Sequence, residues 1–173
     1  MSVNYDRVSQ WFHWILAALI FFLIAYHPST EEGHEISSAL NVTIHVTVGI
    51  SILFLVFGRL FWRLNYARSP ERKETSKHHS QIRKAVHSTF YFFMLATPII
   101  GIILALVSEL DILILGFLEM PNLISNDRLH DLLRSLHGAS ADSLLYLAII
   151  HVGAAIYHRI WLKENILTRM TEP

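Results

Sequence analysis

Four stretches of the chain are apolar almost without interruption, and polar residues gather between them. The first runs from about Val8 to Tyr26 (VSQWFHWILAALIFFLIAY) and the second from about Leu40 to Trp62. The third runs from about Ala85 to Val107 and the fourth from Leu136 to Ile160. A hydrocarbon core of ~30 Å is crossed by about 20 helical residues, so each stretch predicts one spanning helix. Pro98 lies inside the third stretch. It would break a soluble helix, but packed membrane helices absorb such a kink. The first stretch lacks a clustered basic start and a small-residue cleavage motif, so it reads as a retained helix rather than a secretion signal. Between the third and fourth stretches, residues 108–136 mix apolar pieces (DILILGFLEMP) with an amphipathic run (SNDRLHDLLRS). This connection predicts a short interfacial helix over one mouth of the bundle. The expected fold is all-α: one domain over residues 1–173, with four transmembrane helices running up-down-up-down.

Charge sets the expected orientation. Of the 14 Lys and Arg residues, only Arg128 and Arg134 fall on the side holding the first and third links. The other twelve lie in the N-terminal tail, the link between the second and third spans, and the C-terminal stretch. Excess Lys and Arg mark the cytoplasmic side, so both termini are expected there. The opposite face is acidic, with Glu31, Glu32, Glu35, Glu109, Asp111, Glu119, Asp127 and Asp131. Charged residues make up 16% of the chain, against about a quarter in soluble domains, which agrees with a membrane protein. The formal net charge is zero, so no overall field points to nucleic acid. Cysteine is absent, which excludes disulfides, thiolate metal sites, cysteine catalysis and thioether-linked haem.

The chemistry lies in the 11 histidines. Ionisable groups inside a bilayer are costly and usually functional. By depth, His13 and His87 lie near the cytoplasmic ends of the first and third helices, and His45 near the outer end of the second. The fourth helix carries His137 at its outer end, His151 deeper and His158 at the cytoplasmic rim. His137 and His151 are 14 residues apart, about 21 Å along a helix and within about 40° of the same face. One helix thus offers an imidazole in each leaflet. His45 can meet His137 in the outer layer, and His13 can meet His151 in the inner layer. Two such pairs suit two b haems, each with two axial imidazoles and no covalent attachment. His87 sits at inner depth and competes with His13 and His151 for that role.

His87 and His158, beside Arg83, Lys84, Lys77, Gln81 and Arg159, also suit a quinone headgroup, which needs hydrogen-bond donors and protons on reduction. His27, His34, His78, His79 and His130 read as solvated. Gly49, Gly138 and Gly153 stand near the candidate ligands, where they could give room to a macrocycle or let helices pack closely. Asp142, five positions after His137, is a candidate neighbour of that imidazole or a simple helix-end residue. Ser88 and Thr89 read as helix residues bonded to backbone.

The runs YDRVSQWFHW, IHVTVGISILFLVFGRLFWRL, HSTFYFFMLATPIIG and LHGASADSLLYLAIIHVGAAIYHRIWLKENILTRM resemble the bacterial cytochrome b561 family from Tyr5 to Met170. These are four-helix, di-haem cytochromes of the bacterial inner membrane, and the likeness is to the superoxide oxidase type. The resemblance implies His13 with His151 on an inner haem and His45 with His137 on an outer one. It places His87 and His158 near the inner haem and quinone region. It implies an enzyme that takes electrons from superoxide and passes them to ubiquinone. Beside an assembly or scaffold membrane protein, for which the four histidines would be dispensable, two other classes stay open. One is an electron-transfer subunit for a periplasmic redox partner, with no substrate of its own. The other is a transporter or metal-binding protein, although zinc prefers ligands gathered in one tetrahedron rather than split between two layers.

Overall fold

The computed structural model describes residues 4–26, 35–67, 77–109, 112–163 and 168–171. Four long helices dominate: α1 Arg7–Ala25, α2 Glu35–Asn65, α3 Lys77–Leu106 and α4 Asp127–Ile160. A two-stranded hairpin, β1 Leu113–Ile114 with β2 Leu118–Glu119, lies between α3 and α4, and a single turn, α5 Thr168–Thr171, follows. All four long helices are long and apolar enough to cross a membrane. Phe54, Phe92 and Ile150 are 73%, 63% and 65% exposed, a surface that would aggregate in water and is at rest in lipid. His27 and His34 lie outside the described residues, as do the side chains of His78 and His79.

Side-chain contacts set the topology. The Tyr26 hydroxyl donates to the Asn41 side chain, while Gly58 abuts Phe12, so α1 and α2 are antiparallel. Arg59 meets Tyr91 between α2 and α3. Phe90 meets His151 and Gly101 meets His137, so α3 and α4 are antiparallel as well. Together these contacts make the up-down-up-down bundle. Leu16, Ile52 and Val56 form its most buried cluster, with Leu19, Val48, Tyr91 and Met94 packed around them. On α2 this core occupies positions between His45 and Arg59.

The connection before α4 differs from the expected short interfacial helix. The amphipathic run does not form a separate helix but makes the first turns of α4. Asn126 caps it by accepting from the Leu129 amide at 3.1 Å, and no Gly or Pro interrupts the next ten residues. The apolar piece before it folds back as the hairpin, with Leu113 opposite Glu119. Leu115 and Gly116 both take positive φ, 55° and 79°, as a tight turn of this hand requires. The Leu115 amide donates to the Thr47 hydroxyl at 3.2 Å, tying the hairpin to the outer part of α2.

At the other end, Asp6 caps α1. Its carboxylate accepts from the Ser9 amide at 2.9 Å, the Ser9 hydroxyl at 2.7 Å and the Trp62 indole at 2.9 Å. One side chain therefore closes α1 and fastens it to the end of α2. Burial pushes the Asp6 carboxyl up, but these donors outweigh it and hold the group below its ordinary 3.8. A depressed folded value contributes stability that is complete above the ordinary value and is lost as pH falls through the folded one. Asp6→Ala is expected to cost about 1 kcal/mol at pH 7, the usual worth of such a cap. Thermal unfolding in detergent should show the gap from the parent protein closing below pH 4. An equal gap at pH 7 and pH 3 would contradict the role given to the carboxylate.

Candidate functional site

One layer, named outer after the orientation expected from the charge pattern, joins α2, α3 and α4. The His45 and His137 rings face each other with centres 6.0 Å apart and planes at 71°. His137 Nδ1 lies 3.1 Å from the Thr97 carbonyl of α3. A carbonyl can only accept, so Nδ1 carries the proton and Nε2 is left with its lone pair. Metal-binding histidines are commonly fixed in this way, with the second nitrogen donating to a carbonyl or carboxylate. The ring can lie this close to α3 because Gly101 has no side chain. A Cβ there would stand 2.9 Å from His137 Cε1 and 3.1 Å from Nδ1.

The inner layer joins α1 and α4. The His13 and His151 rings have centres 6.3 Å apart and planes at 68°. Trp14 meets the edge of His13 at 5.2 Å, and Phe90 of α3 meets His151 at 5.3 Å. Two imidazoles on opposite sides of one metal ion are separated by two bonds of about 2 Å plus roughly 1 Å from each nitrogen to its ring centre, about 6 Å in all. Both pairs have that spacing. Among the described residues no three His, Asp or Glu side chains gather as a metal-ligand group. The arrangement thus suits two-ligand sites in which a planar macrocycle supplies the remaining bonds, and it does not suit a tetrahedral zinc site.

His87 is half-buried at the inner end of α3, and its Nδ1 donates to the Arg83 carbonyl at 2.7 Å. It is not one of the two facing pairs. Its Nε2 remains to accept or pass a proton. His158 is half-buried at the end of α4, beside the Tyr157 ring at 6.1 Å. The Lys77 side chain lies outside the described residues.

The structure narrows two of the alternatives that the sequence leaves open. Asp142 is exposed, and the group on His137 Nδ1 is the Thr97 carbonyl. Gly49, Gly138 and Gly153 do not serve close helix packing, since a Cβ on any of them would meet no atom within 4 Å. The glycine that touches an imidazole is Gly101. Thr89 donates to the Ala85 carbonyl at 2.9 Å, an ordinary helix contact as expected. Sequence reasoning passed over Thr97, Gly101, Arg59 and Tyr91. A glycine one turn after Thr97 and an arginine inside the apolar run FLVFGRLFW were the available signals.

Four spanning helices that bring imidazoles into facing pairs define a membrane protein of the haem-cytochrome class. The chain belongs to the prokaryotic cytochrome b561 family, whose family model matches residues 4–173, and is thus a membrane electron-transfer cytochrome with b-type haem. It is 26% identical to cytochrome b561 homolog 1 of Escherichia coli (strain K12), over 96% of each chain. It is 27% identical to the probable superoxide oxidase CybB of Yersinia pestis, over 98% of this chain and 97% of that one. Cytochrome b562 of Cereibacter sphaeroides is 21% identical, over 98% and 96%.

Proposed function

We propose that the chain passes single electrons from a donor on its outer side to ubiquinone on its cytoplasmic side. His45 and His137 hold one b haem, and His13 and His151 hold a second. The observation that carries this reading is the pair of facing imidazoles at each of two depths, 6.0 and 6.3 Å between ring centres. Haem supplies reversible one-electron chemistry when bound. The chain's own part is positional. The Thr97 carbonyl presents His137 Nε2 inward, and the Leu16, Ile52 and Val56 cluster keeps water from the space between the layers.

Superoxide is the donor that the likeness to the Yersinia pestis protein suggests. Two superoxide ions would leave as two oxygen molecules, and one quinone would take two electrons and two protons to become the quinol. His87 and His158, both half-buried at the cytoplasmic end, bond the quinone carbonyls and deliver those protons. Stopped-flow mixing of the purified protein with superoxide should reduce the haem bands within the mixing time, and added ubiquinone should reoxidise them. Bands that stay oxidised would reject superoxide as donor. His87→Ala is expected to keep both haems and to slow quinone reduction about 10²-fold, the usual worth of a positioned proton donor. Loss of a haem in that variant would make His87 an axial ligand.

One alternative has an observation behind it. The outer face exposes Glu119, Asp127 and Asp131, which repel an anion and suit a basic partner protein. On that reading the chain is a relay with no substrate of its own, and superoxide turnover by the chain alone contradicts it.

A further inference from the structure

Arg59 lies inside the α2 span, and the geometry brings it level with the inner imidazole pair. The neighbouring Gly58 abuts the ring of Phe12, 3.3 Å from where a Cβ would be, and Phe12 precedes His13. Arg59 Nε donates to the Tyr91 hydroxyl at 3.3 Å. Tyr91 follows Phe90, whose ring meets His151. Two independent contacts thus fix the height of this guanidinium from opposite sides. Tyr91 is itself held, packed on the central cluster and capped by Arg63, whose Cζ stands 5.3 Å from its ring centre.

Arg59 is half-buried, and no carboxylate among the described residues pairs with it. Asp6, at the same end of the bundle, is already taken up by Ser9 and Trp62. A cation at this depth is expensive and needs a use. Placing it by the positive-inside rule alone does not explain why it is tied to Tyr91 at the level of the inner histidines.

We infer that Arg59, oriented by Tyr91, is an electrostatic positioning residue that raises the reduction potential of the inner haem relative to the outer one. This rests on the two-haem reading above. Reduction adds one electron to ferric iron and lowers the charge of the site by one, with no bond made or broken. A fixed neighbouring cation favours the less positive state. The outer pair lies about 21 Å farther along the bundle by helix rise, and Coulomb energy falls with distance, so the charge acts mainly on the inner site. The gradient so created draws an electron from the outer layer to the inner one, toward the side where His87 and His158 face the acceptor.

The test is a potentiometric titration of the haem bands in the parent protein and in Arg59→Gln. His137→Ala, which keeps only the inner haem, identifies the inner step. In Arg59→Gln the inner step should shift to lower potential by at least a tenfold change in its oxidised-to-reduced ratio, 59 mV for one electron. The outer step should stay in place, and Arg59→Lys should restore most of the shift. Unchanged potentials, or equal shifts in both steps, overturn the proposal. If Arg59→Gln does not assemble, Tyr91→Phe carries the test. It frees the guanidinium while keeping the charge and should lower the inner step alone, and no shift there overturns the proposal as well. A parent protein with fewer than two haems would instead overturn the two-haem reading, which separates the two failures.

Discussion

His137→Ala is expected to reduce the haem content from two per chain to one, leaving the inner haem spectrally intact. The loss should be complete because His137 stands opposite His45, and among the described residues no third His, Asp or Glu gathers with them as a metal-ligand group. His151→Ala should give the reciprocal result, removing the inner haem and sparing the outer one. The layers stand about 21 Å apart along α4, with the apolar cluster around Val56 at the depth between them, so the loss of one ligand should not travel. His130→Ala is the control. That residue lies 3.6 Å from the Asp131 carboxylate on the outer part of α4 and should leave both haems in place. Haem extraction and counting, with circular dichroism to show that the helices persist, reads all three variants. Two haems retained in His137→Ala or His151→Ala would contradict the pairing.

The second large effect is expected at Gly101. Alanine is the better helix former by about 1 kcal/mol, so Gly101→Ala should stabilise α3 if helix propensity alone mattered. The site predicts the opposite sign for haem retention. The new methyl would stand 2.9 Å from His137 Cε1, closer than real contacts allow, and α3 backbone lies behind it. The imidazole must therefore move and give up its 3.1 Å bond to the Thr97 carbonyl. Losing such a supporting bond typically costs about 10- to 100-fold in metal affinity. Outer-haem affinity should fall within that range, with the inner haem unaffected. Competition of the bound haem with apomyoglobin measures it. An unchanged transfer rate would show that Gly101 serves only the helix.

Some of this site was legible in the sequence and some was not. Depth could be read, because helix rise is fixed and each span is bounded by polar residues. Rise alone pairs His45 with His137 but leaves His87 beside His13 and His151 at the inner depth, and the structure brings His45 to His137 and His13 to His151. Rotation about the helix axis could not be read. A helix that is apolar all round carries no amphipathic stripe to say which side faces a neighbour. This is why Asp142, on the same helix as His137, stayed open between a neighbour of that imidazole and a helix-end residue, while the Thr97 carbonyl of another helix gave no sign. It is also why Gly49, Gly138 and Gly153 drew attention when Gly101 makes the contact. Arg59 was counted with the basic loop, because its sequence neighbourhood shows its depth but not its hydrogen bond to Tyr91 on another helix. The hairpin between α3 and α4 was missed for a local reason. Leu115 in the left-handed region is an unusual choice for a tight turn, and only Gly116 beside it signalled one.

The measurement closest to the central claim is a dithionite-reduced minus oxidised absorbance spectrum of the purified protein, with extracted haem counted per chain. Two low-spin b haems per chain, resolved as two steps in a redox titration, are the expected result. A protein that binds no haem when expressed with ample supply would contradict the account and return the four histidines to packing or transport.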